Sequence, residues 1–121
     1  MSSIEKLIKS TVENSTGLTC QHNVFTKSED PYCVFNYFTE KEQFDNMAIY
    51  EYYYIQVHIV APHTSNVNAL KRKLKIDLEK AGFSYPTEEN ASDDNSQHYV
   101  LETNKWWPID RTETTEGTDN G

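Results

Sequence analysis

Cysteine and glycine are scarce in this chain, whose 121 residues include two cysteines and four glycines. Cys20 and Cys33 are too few and too far apart in sequence for a disulfide-rich scaffold or a zinc knuckle. We interpret them as small buried residues with free thiols in a reducing cytoplasm, and leave their pairing open. The glycines stand singly, so no glycine-rich loop is available to hold the phosphates of a nucleotide.

Positive charge is also in deficit. The chain carries 19 acidic and 11 basic residues, which gives a formal net charge of -8. A protein that binds duplex DNA through its phosphates needs a basic surface, so this balance argues against nucleic-acid recognition.

Long apolar runs are absent from the sequence as well. No stretch approaches the roughly 20 apolar residues of a membrane span. Charges at Glu5, Lys6 and Lys9 occupy the region where a signal peptide would have its apolar segment. We therefore expect a protein made and kept in solution, without a membrane partner.

Residues that carry catalysis or bind metals show no recognised arrangement. The four histidines are His22, His58, His63 and His98. No two have the spacing that places paired imidazoles on one helix face, and we expect His58 to be an exposed or half-buried strand residue. The acidic pairs at 88–89 and 93–94 lie in a hydrophilic stretch, where burial would not raise a carboxyl pKa. We predict no catalytic residue, no cofactor and no metal.

Two amphipathic helices are predicted. Ser2 and Glu5 have the spacing of a capping box, and apolar residues follow at helical intervals until a polar stretch at 14–17. The second helix follows a Thr-Ser-Asn cluster at 64–66, and Gly82 is suited to end it. Its polar side carries a basic cluster, while Ile76 projects away from its apolar stripe.

The clearest strand signal lies at residues 49–60, where apolar and other residues alternate. The odd positions that predict a core face are Ile49, Tyr53, Ile55, Val57 and Ile59. The even positions form a tyrosine-rich face and are Tyr50, Tyr52, Tyr54, Gln56 and His58. Tyrosine rings tolerate water but also suit a protein partner.

Shorter strands are predicted at 22–26 and 32–38, and a closing hairpin at 83–86 and 97–103. Residues 39–48 form a predicted loop that is long enough to be functional. Residues 88–96 are predicted to be a mobile acidic loop. Residues 110–121 contain no aliphatic or aromatic side chain, so we expect a disordered acidic C-terminal tail.

This order of elements predicts a single α+β domain over residues 1–109, with a mostly antiparallel β-sheet and helices packed on one face. The tyrosine-rich face is then left uncovered by the chain's own helices. Surfaces of this kind are common at protein interfaces, so we expect this face to contact a partner.

The residues proposed for this interface come from several segments. Trp106 and Trp107 follow the last predicted strand, and we expect one ring to seal the core and the other, assigned to Trp107, to anchor a neighbour. The basic cluster is interpreted as the solvated face of a helix, or as a contact to acidic residues of a partner. The full set of candidate interface residues is Phe44, Met47, Tyr50, Tyr52, Tyr54, Lys71, Lys75, Ile76 and Trp107. We expect Ile76→Asp and Trp107→Ala to leave the monomer folded while impairing assembly.

Several motifs between residues 37 and 85 form a pattern seen in a known family. The similar parts between Tyr37 and Tyr85 are the Phe-Asp-Asn at 44–46, the strand Tyr-Glu-Tyr-Tyr-Tyr-Ile-Gln-Val-His-Ile at 50–59, the helix, and the Ala-Gly-Phe at 81–83. They resemble the tail-completion or tail-terminator (head-tail joining) proteins of siphoviruses and their prophage relatives. About half the chain is covered, and the motifs are structural; His58 stands where an acidic residue is expected.

The resemblance implies a non-enzymatic virion protein, made in the bacterial cytoplasm and located in the tail or neck. Subunits are expected to assemble into a ring, for which we expect six copies, on the last ring of the tail tube protein. The ring would stop tube growth and dock to the head connector or stopper protein. DNA would pass through its lumen without specific binding, since acidic walls repel phosphate.

Two other functions fit the same residues. A head-tail connector or stopper protein would share the ring-forming habit but bind the portal side. A small acidic adaptor or inhibitor encoded by a mobile element would act as a monomer through its tyrosine-rich face or its tail. An enzyme is the least favoured class, because the residues above supply no catalytic arrangement.

Overall fold

A computed structural model describes residues 1–44 and 47–109, with the side chains of residues 42–49 outside the description. The predicted tail at 110–121 also lies outside the described residues. The elements in chain order are α1 (Ser3–Thr16), β1 (Cys20–His22), β2 (Tyr32–Phe44), β3 (Met47–Ala61), α2 (Asn68–Lys80), β4 (Thr87–Asn90) and β5 (Gln97–Pro108).

The strands form one sheet in the order β1-β2-β3-β5-β4. β1 runs parallel to β2, and the other three neighbouring pairs are antiparallel. Both helices contribute buried residues to a single core against one face of the sheet. The predicted α+β architecture, with a mostly antiparallel sheet and helices on one face, is confirmed.

Helix α1 starts and ends as its sequence predicts. Ser2 caps it by accepting a hydrogen bond from the Glu5 backbone N–H at 3.3 Å, and the Ser2 backbone N–H donates to the Glu5 carboxylate at 2.9 Å. A cap of this kind contributes about 1 kcal/mol to helix stability. The helix ends at Gly17, whose φ of 71° is readily adopted by glycine.

The core lies between the helices and the side of the sheet that we call the inner face. Helix α1 buries Ile4, Ile8 and Val12, and α2 buries Leu74 and Leu78. The inner-face residues beneath them are Cys33, Phe35, Tyr53, Ile55, Val57, Ile59 and Leu101. The core face predicted for the long strand is therefore confirmed at positions 53–59, and both cysteines are buried free thiols.

The predicted loop at 39–48 is wrong, because strand pairing continues through most of it. Glu40 lies opposite Tyr52, Lys41 opposite Glu51 and Phe44 opposite Met47, with a bulge between Glu42 and Gln43. Charged residues on both faces conceal the alternation that marks a half-buried strand. The result is one long hairpin that joins β2 and β3.

The short strand predicted at residues 22–26 is also wrong in its position. β1 ends at His22 after only three residues that pair with β2, and Asn23 has a positive φ of 61° that turns the chain out of the sheet. Phe25 then contacts the histidines on the other side of the sheet. Residues 23–26 therefore cover part of the sheet rather than extend it.

The acidic stretch at 88–96 begins as strand β4, so the mobile loop predicted for all of it is wrong. Glu88 lies opposite Leu101 and faces α2, where its carboxylate meets the ammonium groups of Lys71 and Lys75, each at 2.8 Å. Partial burial alone would raise the pKa of Glu88, but the hydrogen bonds from the two lysines outweigh it and lower that pKa.

The two lysines do not belong to a solvated helix face. The side chain of Lys71 is buried, and its ammonium lies 3.6 Å from the centre of the Tyr99 ring, a cation–π contact. Lys75 is largely covered too. Both of these candidate interface residues are thus engaged within the chain, where they fasten α2 to the β4 edge of the sheet.

Candidate interaction surface

The outer face of the sheet, opposite the helices, carries a cluster of five aromatic residues at one end. Phe38 comes from β2, Tyr50, Tyr52 and Tyr54 from β3, and Trp106 from β5; we call this set the aromatic patch. The strand register places them on neighbouring positions, with Phe38 opposite Tyr54 and Trp106 opposite Tyr52. Period-two alternation along three paired strands thus produces one continuous surface.

The rings of the aromatic patch contact one another. Phe38 stacks on Tyr54 with 4.7 Å between ring centroids, and Tyr54 meets the Tyr52 ring edge-on at 4.8 Å. Tyr52 lies 4.5 Å from Trp106, which in turn meets Tyr50 at 6.4 Å. Offset and edge-to-face contacts at these distances are favourable for aromatic pairs. The chain therefore orders the patch before any partner arrives.

Much of this ordered surface remains in water. Phe38 is 63% exposed, Trp106 50% and Tyr50 44%, while Tyr52 and Tyr54 are half-buried. Single exposed aromatic residues are ordinary, but a contiguous exposed group marks a binding surface. A groove of about 450 Å³ lies beside the aromatic patch. Its walls include Phe38, Tyr54, Tyr85 and Glu102.

The charges beside the aromatic patch are acidic. Glu40 and Glu102 are exposed and lie on the outer face, opposite Tyr52 and Gln56 of β3. Among the described side chains at outer-face strand positions, none belongs to lysine or arginine. Aromatic faces and carboxylates both favour a positively charged partner group.

The other end of the outer face is already covered by the chain itself. His58 and His98 are hydrogen-bonded to each other through Nδ1 and Nε2 at 2.8 Å, and Phe25 meets both rings edge-on at 5.1 and 6.0 Å. His58 is only 8% exposed, so the exposed or half-buried position expected for it is wrong. Its Nε2 atom has no hydrogen-bond partner among the described residues.

Burial lowers the pKa of His58 and that of His98, and the neighbouring imidazole lowers the pKa of His58 further. A histidine whose pKa is lowered in the folded state stabilises the fold above its unfolded pKa of about 6.5, and this stability is lost as the pH falls. We therefore expect the melting temperature to fall by a few degrees between pH 7.5 and pH 5.5, as measured by circular dichroism.

A substitution checks that the paired histidines cause this fall. In His98→Gln the decrease in melting temperature over the same pH range should shrink, because one of the two paired imidazoles is gone. His63 is exposed, and its Nε2–H donates to the backbone carbonyl of Asp93 at 2.7 Å, so His63→Gln serves as the control and should retain the full decrease. An unchanged pH dependence in His98→Gln would contradict the assignment.

The predicted interface residues separate into distinct groups. Tyr50, Tyr52 and Tyr54 all lie in the aromatic patch, and Ile76 is 46% exposed on α2. The side chains of Phe44 and Met47 lie outside those described. Lys71 and Lys75 bind Glu88 of the same chain.

The assignment of the tandem tryptophans is reversed. Trp107 lies opposite Glu51 and packs against the core, while Trp106 joins the aromatic patch. Strand β5 runs to Pro108, five residues beyond the predicted end at Thr103. Inner-face positions are odd in this strand, as Leu101 and Thr103 are, so extending the alternation by two more pairs would have placed both rings correctly.

Sequence reasoning also missed Phe38, Glu40, Glu102 and Trp106. The sequence predicts Phe38 at the end of a strand and Glu40 in a loop, so it assigns neither residue to a face of the sheet.

The described helices include none that is long and apolar enough to cross a membrane. Within the described part of the chain, no group of three or more His, Cys, Asp or Glu residues is arranged to hold a metal ion.

Comparison with known proteins defines the class of fold but no family. No model of a protein family matches the sequence, and no curated protein matches it either. The fold is similar to that of a solved structure whose name states no function: the TM-score is 0.59, the sequence identity is 8%, and the match covers 89% of this chain and 92% of that chain. A likeness at this identity shows a shared α+β fold and carries no activity with it.

Proposed function

We propose that this protein is a ring-forming structural subunit at the head-proximal end of a bacteriophage tail, where it ends growth of the tail tube and joins tail to head. The observation that carries this proposal is the exposed, pre-ordered aromatic patch on a sheet face that the chain's own helices do not cover. A surface of this kind gains stability when another protein covers it.

Two further observations support a structural role. The resemblance to tail-terminator proteins spans residues 37–85, which include most of the long hairpin and all of α2. The net charge of -8 suits a ring through which DNA moves, since an acidic lumen does not retain phosphate. The partners are then further copies of the chain, the tail tube protein and the head connector or stopper.

The decisive experiment compares phage particles made with and without this protein by electron microscopy. We expect tails of abnormal length, or tails that never join heads, when the protein is missing. Tails of normal length that remain unattached would favour the head-tail connector or stopper role. Normal virions would refute the proposal and leave a monomeric adaptor as the better account of the aromatic patch.

A further inference from the structure

The outer side of α2 presents a second unpartnered surface, on the side of the molecule opposite the aromatic patch. Arg72, Ile76 and Lys80 follow one another at four-residue spacing and are all exposed, so they line one stripe of the helix. Lys73 beside them is bound to Asp77 at 2.6 Å. Within the described part of the chain, neither Arg72 nor Lys80 forms an ion pair. We call these three residues the α2 stripe.

The α2 stripe and the aromatic patch are complementary in charge and in chemistry. The stripe offers two cations on either side of an exposed aliphatic side chain. The patch offers exposed aromatic rings with the carboxylates of Glu40 and Glu102 beside them, and no described strand position on that face holds a lysine or arginine. Apolar contact at the centre with opposite charges around it is the usual composition of a specific interface.

We propose that the α2 stripe of one copy docks on the aromatic patch of the next copy, with Ile76 against the rings and Arg72 and Lys80 toward Glu102 and Glu40. This inference rests on the proposed ring and names the contact that builds it. The two surfaces lie on opposite sides of the molecule, so the contact is head-to-tail rather than two-fold symmetric. Repeated contacts of this type produce a closed ring or an open filament.

The dimensions of the two surfaces agree. Eight residues separate Arg72 from Lys80, which is about 12 Å along a helix. Glu40 and Glu102 lie two strands apart, and their β3 partners Tyr52 and Gln56 are four residues apart. This places their Cα atoms about 17 Å from each other, a difference that long Arg, Lys and Glu side chains bridge. The groove lined by Tyr85 and Glu102 provides space beside the patch for a guanidinium.

Charge reversal tests the contact. The stripe variant carries Arg72→Glu and Lys80→Glu, and the rim variant carries Glu40→Lys and Glu102→Lys. Each variant alone should associate at least about tenfold more weakly than the wild type, because like charges meet at every junction. A control with Lys6→Glu and Lys27→Glu, both exposed residues, has the same net charge as the stripe variant and should associate normally. Circular dichroism confirms that every variant is folded.

An equimolar mixture of the stripe and rim variants should recover association. In an alternating assembly every junction pairs an acidic stripe with a basic rim, or a basic stripe with an acidic rim. Sedimentation velocity with the tail tube protein present, and again without it, measures the recovery. A two-fold symmetric contact through one surface would leave the variant reversed on the other surface associating as the wild type does, and that result, or a mixture that stays dissociated, would overturn the proposal.

The remaining outcomes separate this inference from the proposed function. If the wild type assembles and both reversed variants also assemble, the docking contact is wrong while the ring survives. If mixing restores assembly but phage lacking the protein are normal, the contact stands and the tail function fails. A wild type that stays monomeric in both conditions overturns the contact.

Discussion

Replacing Trp107 by alanine is expected to destabilise the fold by about 2 kcal/mol, less than the roughly 3–5 kcal/mol for a fully buried aromatic side chain, because its ring is only partly buried against the core. Trp107 packs against the buried cluster from the inner face of β5, and the Lys105 ammonium lies 5.7 Å from its ring centre. Urea denaturation measures the change in the free energy of unfolding. The same measurement tests the sequence-based expectation that Trp107→Ala leaves the monomer folded.

The neighbouring tryptophan supplies the matched control. Trp106 is 50% exposed, so Trp106→Ala removes a ring that the monomer keeps largely in water. We expect a change in the free energy of unfolding below about 1 kcal/mol, since exposed substitutions are mild, together with weaker self-association. Equal destabilisation by the two substitutions would show that the inner and outer faces of β5 are wrongly assigned.

Introducing a carboxylate at Leu74 is expected to abolish folding. Leu74 has no exposed surface and belongs to the core between α2 and the sheet. An aspartate there loses apolar burial and leaves a charge without a partner, and the combined cost of about 5 kcal/mol or more is comparable with the whole stability of a domain of this size. Loss of the far-ultraviolet circular dichroism signal and of soluble yield measures the effect.

The same substitution half a turn away should behave differently. Ile76→Asp places the carboxylate on the exposed α2 stripe, where water solvates it, so the monomer is expected to remain folded with a nearly unchanged melting temperature. Assembly should be lost, because the apolar centre of the proposed contact becomes acidic and faces an acidic rim. An Ile76→Asp protein that assembles as the wild type does would remove Ile76 from the interface.

The fold class followed from local patterns that act within a few residues. The capping box at Ser2 and Glu5, Gly17 and Gly82 at the helix ends, and the alternation from Tyr53 to Ile59 each report backbone structure directly. In these places sequence, local conformation and burial agree. The face of the sheet that lacks helices followed from the same alternation.

The errors arose where structure depends on residues distant in sequence. Strand β2 extends through Glu40 and Lys41 because β3 pairs with it. The residues around them show no alternation of apolar and polar side chains that would predict this pairing. Glu88 is predicted as a loop residue because its ion-pair partner Lys71 lies seventeen residues earlier in the chain. The hydrogen bond between His58 and His98 joins residues forty positions apart. Contacts of this kind depend on tertiary context.

The tyrosines of the aromatic patch could be predicted from the sequence, whereas the residues around them could not. The three tyrosines come from a single strand, so period-two alternation was enough to group them. Phe38, Trp106 and the two carboxylates come from neighbouring strands, and their positions depend on the pairing register. A shift of one residue in that register would move each of them to the opposite face.

The brevity of β1 has a consequence for solubility. β1 covers β2 only from Cys33 to Phe35, so the border of the sheet beyond Phe35 displays backbone amides and carbonyls that no described strand meets. An exposed sheet edge of this kind pairs with strands of other molecules and promotes fibrous aggregation unless it is blocked. Lys41 lies in the unpaired half of this edge with an exposed side chain, and its charge opposes the approach of a strand from another molecule.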